Sequence, residues 1–395
     1  MRCLVLSCLV LGLGACSQST SGGGGDGGAA GIGGAAGNGG FAGIGGSDSA
    51  PGDPSVLALA PGLSVANGRF STSDACTECH DNAAAATAMR DEDAREISPF
   101  QLWQSSMMAN AARDPLWRAV VSAEIAATPA AEEAIGRKCN TCHSPMAWTD
   151  ALLLDEPLPT MEVLTNESER MDLALEGVSC TLCHQIEADG LGTEASFSGG
   201  YSVAAIGNAY GPHASPFAMP MEHMSGFSPV QSDHTMDSGL CATCHTLTTD
   251  ALDAGGTPTG GHVVEQGPYL EWQLSAFADV VSCQDCHLPQ ESEDGVLIET
   301  KIARNPAGAD FPSIDARVPY GRHLLVGGNT LVLGILRDWA DVLNPLGSRA
   351  AFDTTIEAAR TQLAERSARL TLRDVAIDGD ELAFSADIAV MAGHK

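Results

Sequence analysis

Ten cysteines constrain this chain more than anything else in it. They occur as five Cys-x-x-Cys pairs, each followed at once by histidine: CTECH (Cys76, Cys79, His80), CNTCH (Cys139, Cys142, His143), CTLCH (Cys180, Cys183, His184), CATCH (Cys241, Cys244, His245) and CQDCH (Cys283, Cys286, His287). The other three, Cys3, Cys8 and Cys16, lie in the first 16 residues, so no cysteine is left over downstream. A disulfide framework leaves the adjoining histidine unexplained. Zinc sites take CxxC pairs two at a time, which five pairs fit poorly. A redox CxxC normally comes singly, in a βαβ context.

C-x-x-C-H is the motif for covalent attachment of c-type haem. Two thiols bond the porphyrin edge, and the next residue supplies the proximal imidazole to the iron. The expectation is therefore five covalently attached haem c groups, with His80, His143, His184, His245 and His287 as proximal ligands. Aromatic residues are only 5% of the chain, and five porphyrins would supply the bulk that Phe, Tyr and Trp normally provide.

Residues 1–15 (MRCLVLSCLVLGLGA) read as a secretory signal peptide: one Arg, a short apolar run, then small residues. The run is too short to span a membrane. Leu13-Gly14-Ala15-Cys16 resembles the bacterial lipobox, which implies cleavage before Cys16, its lipidation and a membrane anchor. Ser17 follows in place of a retention Asp, and by the same resemblance favours the outer membrane. The envelope location agrees with haem attachment outside the bacterial cytoplasm. Residues 16–67 form a lipidated cysteine plus linker, nearly all Gly, Ala and Ser over 19–50. Such a composition buries no core, and about 35 residues of it reach about 30–35 Å.

Residues 68–314 carry the five motifs and are expected to be mainly α with long loops, a multihaem cytochrome c fold packed around its haems. Within them FQLWQSSMMANA (Phe100–Ala111) repeats as YLEWQLSAFADV (Tyr269–Val280). Both segments have helical character and suit packing against a porphyrin face. In residues 315–395, Asn329–Val342 and Thr354–Arg369 read as helices. Leu370–Val390 alternates as a hairpin about Asp378-Gly379-Asp380. This is the start of a β-rich region, expected to continue beyond Lys395.

The formal net charge is −30, which argues against nucleic acid as a partner. Residues 171–300 hold no Lys or Arg and 18 Asp plus Glu. Such a stretch is a solvated acidic surface or a docking face for basic redox partner proteins.

Six histidines remain as candidates for the distal side of the irons: His213, His223, His234, His262, His323 and His394. His262, in a glycine-rich stretch, is the least favoured. His223 lies among Met219, Met221 and Met224, and methionine is also an axial ligand that raises the potential. Met108 is a further candidate.

The motifs, the W-Q-x-S segments, SDHTMDSGLCATCH (Ser232–His245), EQGPYLEWQLS (Glu265–Ser275) and RHLLVGGN (Arg322–Asn329) together resemble exported multihaem cytochromes of the cytochrome c-552/c-554-like kind, related to hydroxylamine oxidoreductase. The final AGHK resembles the start of a GHKLPTG-type segment in some members. The resemblance implies a mainly helical fold with closely spaced haems, and His234, His323 and His394 as distal ligands. The chain departs from the pattern where W-x-x-S-x-H-A places a histidine: Met108 and Phe277 stand there. It has no CxxCK motif, so a nitrite-reductase type of active haem is not supported.

The function expected is electron transfer in the bacterial cell envelope by an outer-membrane lipoprotein. The alternative is a multihaem oxidoreductase acting on a small inorganic nitrogen or sulfur species at a five-coordinate haem. Protein made in a haem-attaching bacterial host is predicted to carry five covalent haems by intact mass. A haem-free product binding zinc would overturn the reading.

Overall fold

The computed structural model describes residues 54–253, 255–292 and 294–394. The leader, Cys16 and the linker up to residue 53 lie outside the described residues. Helix outweighs strand, 39% to 17%, but the fold is mixed. The mainly helical expectation missed two small sheets inside the motif-bearing region. Strands β1 (Asn208–Gly211) and β2 (Ser228–Gln231) pair in parallel around the helix Ala218–Ser225. Strands β3 (Leu247–Leu252) and β4 (Pro258–Gln266) form an antiparallel hairpin. Its turn is an Asx device: Asp253 Oδ1 accepts from the backbone N–H groups of Gly255 and Thr257. His262, expected in a loop, therefore lies on β4, exposed and 2.9 Å from Asp250.

Each CxxCH occupies a short helical turn. The helices run Asp74–His80, Glu132–His143, Cys180–Cys183 with His184 at its C-cap, Ser238–His245 and Cys283–His287. Positions i, i+3 and i+4 share one face of a helix, so both thiols and the imidazole of each motif point the same way. Local capping fixes the starts. Asp237 accepts from Gly239 N–H at 2.6 Å, and Ser282 and Asp285 form a reciprocal capping box. The end of the first motif helix is held by Arg304, whose guanidinium donates to the carbonyls of Thr77, Glu78 and Asp81.

The apolar core is divided among three clusters. The largest packs Phe70, Met146, Leu164, Leu173, Leu175 and Leu182 with their neighbours. A second joins Ala88, Met89 and Ile97 to Ile298 and Tyr320, so the chain after the fifth motif returns to the first. Main-chain pairing supports that return: Met89 N–H donates to Lys301 O, and Tyr320 OH donates to Ile97 O. The third cluster lies between the helices Leu331–Asp338 and Arg349–Arg366, with Met107 and Leu57 against it. Ser105 and Thr355 hydroxyls meet at 2.6 Å there, and Gly347 lies so close to the Gln104–Ser105 backbone that an added Cβ would fall 3.0 Å from Gln104 O. The helical part of 315–395 thus packs directly on the first W-Q-x-S segment.

The expected C-terminal hairpin forms as β5 (Ala368–Asp378) and β6 (Glu381–Val390), turning at Gly379-Asp380. Gly379 has φ +61°, a backbone state that suits glycine in a two-residue turn. Both strands are exposed throughout, and Leu370, Ile377, Phe384 and Ile388 face solvent.

Arg113 ties distant segments together. It is 1% exposed, and its guanidinium donates to the carbonyls of Ala60, Pro61, Leu175 and Leu343. Burial lowers its pKa to about 10. Arg113→Met is predicted to leave these carbonyls short of a donor and cost about 3 kcal/mol of stability, read by chemical unfolding, with Arg113→Lys recovering part of the loss.

Candidate haem-binding site

Four of the five motif histidines have the same second partner. The Nδ1 atoms of His80, His143, His184 and His287 lie 3.0, 3.0, 2.6 and 2.6 Å from the backbone oxygens of Ile302, Ala111, Tyr210 and Val326. A carbonyl can only accept, so Nδ1 carries the proton and the Nε2 lone pair is kept for a metal. This is the usual orienting device of metal-bound histidine. Burial lowers the pKa of His80, His143, His245 and His287, which keeps the rings neutral and able to ligate.

The ten thiols line crevices. Cysteine is ordinarily among the most fully buried residues, yet nine of these are part-exposed and Cys286 is exposed. Even so, burial pushes the Cys183 thiol up to about 12. His245 behaves likewise: it is exposed by accessible area, but protein atoms crowd it enough to depress its pKa. At the first motif a cleft of about 150 Å³, partly open to solvent, has Cys76, Cys79 and His80 in its wall.

Two distal candidates face a motif histidine. The rings of His184 and His323 are 6.4 Å apart and 28° from parallel; those of His287 and His394 are 6.0 Å apart and 18° from parallel. Two metal–imidazole bonds of about 2 Å, plus half a ring on each side, add to about 6 Å. His323 Nδ1 is itself 3.1 Å from Gly321 O, and burial pulls its pKa down to about 4. Donor type and spacing therefore fit a haem iron between each pair. Among the described residues no three His, Cys, Asp or Glu side chains converge into a cage for a bare ion.

The remaining candidates lie elsewhere. His234 has both nitrogens engaged, with Ser232 Oγ at 2.7 Å and Ile186 O at 2.8 Å, and its ring meets Tyr210 edge-on. His213 lines the cleft at the first motif, while His223 is exposed on the helix Ala218–Ser225. Met108, like Cys183, packs against the largest apolar cluster.

The motifs touch one another. The Cys76 thiol is hydrogen-bonded with Cys180, Cys142 with Cys244, and Cys241 with Cys283. Cys183 is near enough to Cys244 to feel its charge. The motifs thus run in the order one, three, four, and both two and five adjoin four. Polar bonds reinforce this. Thr181 OH donates to Ser71 O, and Gln284 Nε2 donates to the carbonyls of Thr235 and Asp237.

The internal repeat has a common job. Trp103 Nε1–H donates to Val178 O at 2.9 Å, and Trp272 Nε1–H donates to Val281 O at 2.8 Å. Each valine opens a Val-Ser-Cys that begins a motif, the third and the fifth. The segments are helical only over Pro99–Trp103 and Pro268–Gln273. Beyond that, Ser106 and Ser275 hydroxyls accept from the N–H groups of Ala109 and Phe277, offering the backbone a local alternative to helix.

The sequence reading missed Trp117, which stacks on His143 at 4.1 Å and 2°. It also missed Tyr201, whose hydroxyl meets Thr149 where motifs two, three and four come together. Neither carries a motif that could have signalled it.

Trp103→Phe is predicted to leave the buried Val178 carbonyl unpaired and cost about 1–3 kcal/mol. Trp272→Phe, at a more exposed site, is predicted to cost less, both measured by chemical unfolding. Comparison with protein-family models, curated proteins and solved structures returns no match for this chain.

Proposed function

We propose that this chain is a pentahaem c-type cytochrome that carries electrons in the bacterial cell envelope, tethered to the outer membrane through lipid on Cys16. The observation that carries the reading is the pair of facing imidazoles, His184 with His323 and His287 with His394, at 6.4 and 6.0 Å. Each motif histidine in these pairs has Nδ1 on a backbone carbonyl.

A bound haem supplies a one-electron ferric/ferrous couple. The chain's part is to hold five attachment sites in contact, to fix the proximal rings through backbone carbonyls, and to set charge and solvent access around them. Contact between the motifs, in the order one, three, four with two and five on four, supports transfer between haems along the chain. Most acidic residues in 171–300 are exposed, which supports a basic redox protein as partner. Among the described residues no helix is long and apolar enough to cross a membrane, so the proposed membrane attachment rests on the lipid.

The alternative, catalysis on a small nitrogen or sulfur species, needs an iron without a sixth protein ligand. Among the described residues, the first, second and fourth motif histidines have no facing imidazole at the spacing of the other two. That keeps the alternative open.

In haem-loaded protein, His323→Ala and His394→Ala are each predicted to convert one haem in five from low to high spin. The changed haem should bind carbon monoxide when reduced, as read by absorption and electron paramagnetic resonance. Unchanged spectra in both variants would sink the ligand assignment. Carbon monoxide binding by the unaltered protein would favour the catalytic alternative.

A further inference from the structure

The cleft at the first motif has part of its wall built by a short helix. One face of the helix Ala218–Ser225 and the residue before it supply it: Phe217, Met221, Met224 and Ser225 line the cleft together with Cys76, Cys79 and His80. These positions follow the i, i+4, i+7, i+8 spacing of a single helical face. The helix is held in place by its frame. Parallel strands β1 and β2 flank it, and Gly226, at φ +77°, ends it in the left-handed region.

Three side chains lining that cleft carry a lone pair suited to iron: His213, Met221 and Met224. His213 lies beside Arg317, and it does not form with His80 the close facing pair seen at the third and fifth motifs. His223, on the same helix, is exposed and outside the cleft lining. Of the methionines, Met224 is 48% exposed, whereas Met221 is half-buried in the middle of the helix. We propose that Met221 is the axial ligand opposite His80, so that the haem of the first motif is held by an imidazole and a thioether.

The proposal rests on the haem reading above and adds a functional asymmetry to it. Thioether ligation raises a haem's reduction potential relative to paired imidazoles. The first motif touches only the third in the contact order, so the highest-potential site would stand at one end of the array. The competing account is that Met221 only fills space, as methionine does in irregular gaps.

The test uses full-length, haem-loaded protein with Met221→Leu, which keeps the apolar bulk and removes the sulfur, and Met224→Leu as comparison. Covalent haem count by intact mass is read first. A wild-type count below five at the first motif overturns the haem reading itself. With five haems present, the ferric wild type is expected to show the thioether-to-iron charge-transfer band at the intensity of one haem in five. Met221→Leu should abolish that band, keep five haems, make one haem in five bind carbon monoxide on reduction, and lower the highest-potential step of a redox titration. Met224→Leu should keep the band. Absence of the band in the wild type, its survival in Met221→Leu, or its loss in Met224→Leu alone would overturn the proposal.

Discussion

The hydrogen bond from a histidine Nδ1 to a backbone carbonyl is the interaction on which this site depends. The CxxCH turn puts two thiols and an imidazole on one face, but it leaves the ring free to rotate and to choose its tautomer. The carbonyls of Ile302, Ala111, Tyr210 and Val326 remove both freedoms at four motifs. Each of these carbonyls belongs to a segment far from its motif in sequence. The irregular stretches around 111, 210, 302 and 326 are therefore parts of the site. This explains why short strands such as β1 occur in a chain whose motifs are all helical: β1 exists where Tyr210 presents its oxygen to the His184 ring and donates its own N–H to the His184 carbonyl.

The motifs and the C-terminal hairpin were legible in sequence because each is local. A CxxCH shares a face through helix geometry alone, and alternation about Asp378-Gly379-Asp380 is enough to specify β5 and β6. The contact order of the motifs was not legible, since it depends on which turns meet across more than a hundred residues, as Cys76 and Cys180 do. The W-Q-x-S repeat was visible, but its role was hidden because the acceptor is a main-chain oxygen. Val178 lies 75 residues from Trp103, and Val281 only nine from Trp272, so spacing gave no common rule. The two segments read as helices because their apolar residues are spaced for one. The serine hydroxyls of Ser106 and Ser275 decide otherwise.

Histidines were the hardest residues to rank. His323 in RHLLVGGN and His394 in AGHK lie near motif rings. His234, seven residues before a motif, has both nitrogens bound to protein groups. The distinction is set by what each ring finds opposite it after folding. Burial of the C-terminal helices against the 104–107 segment and the return of residues 298–320 to the first motif create those opposites.

The thiol contacts between motifs also bear on how such a protein is made. Cys76 against Cys180, Cys142 against Cys244 and Cys241 against Cys283 are pairs of sulfurs already close enough to hydrogen-bond. In an exported chain, the surrounding compartment oxidises neighbouring thiols to disulfides. Three cross-links between different motifs would then compete with thioether formation for six of the ten sulfurs. On the haem reading proposed above, compaction is the hazard of maturation: attachment would have to act on the extended chain, one motif at a time, before the fold brings these sulfurs together.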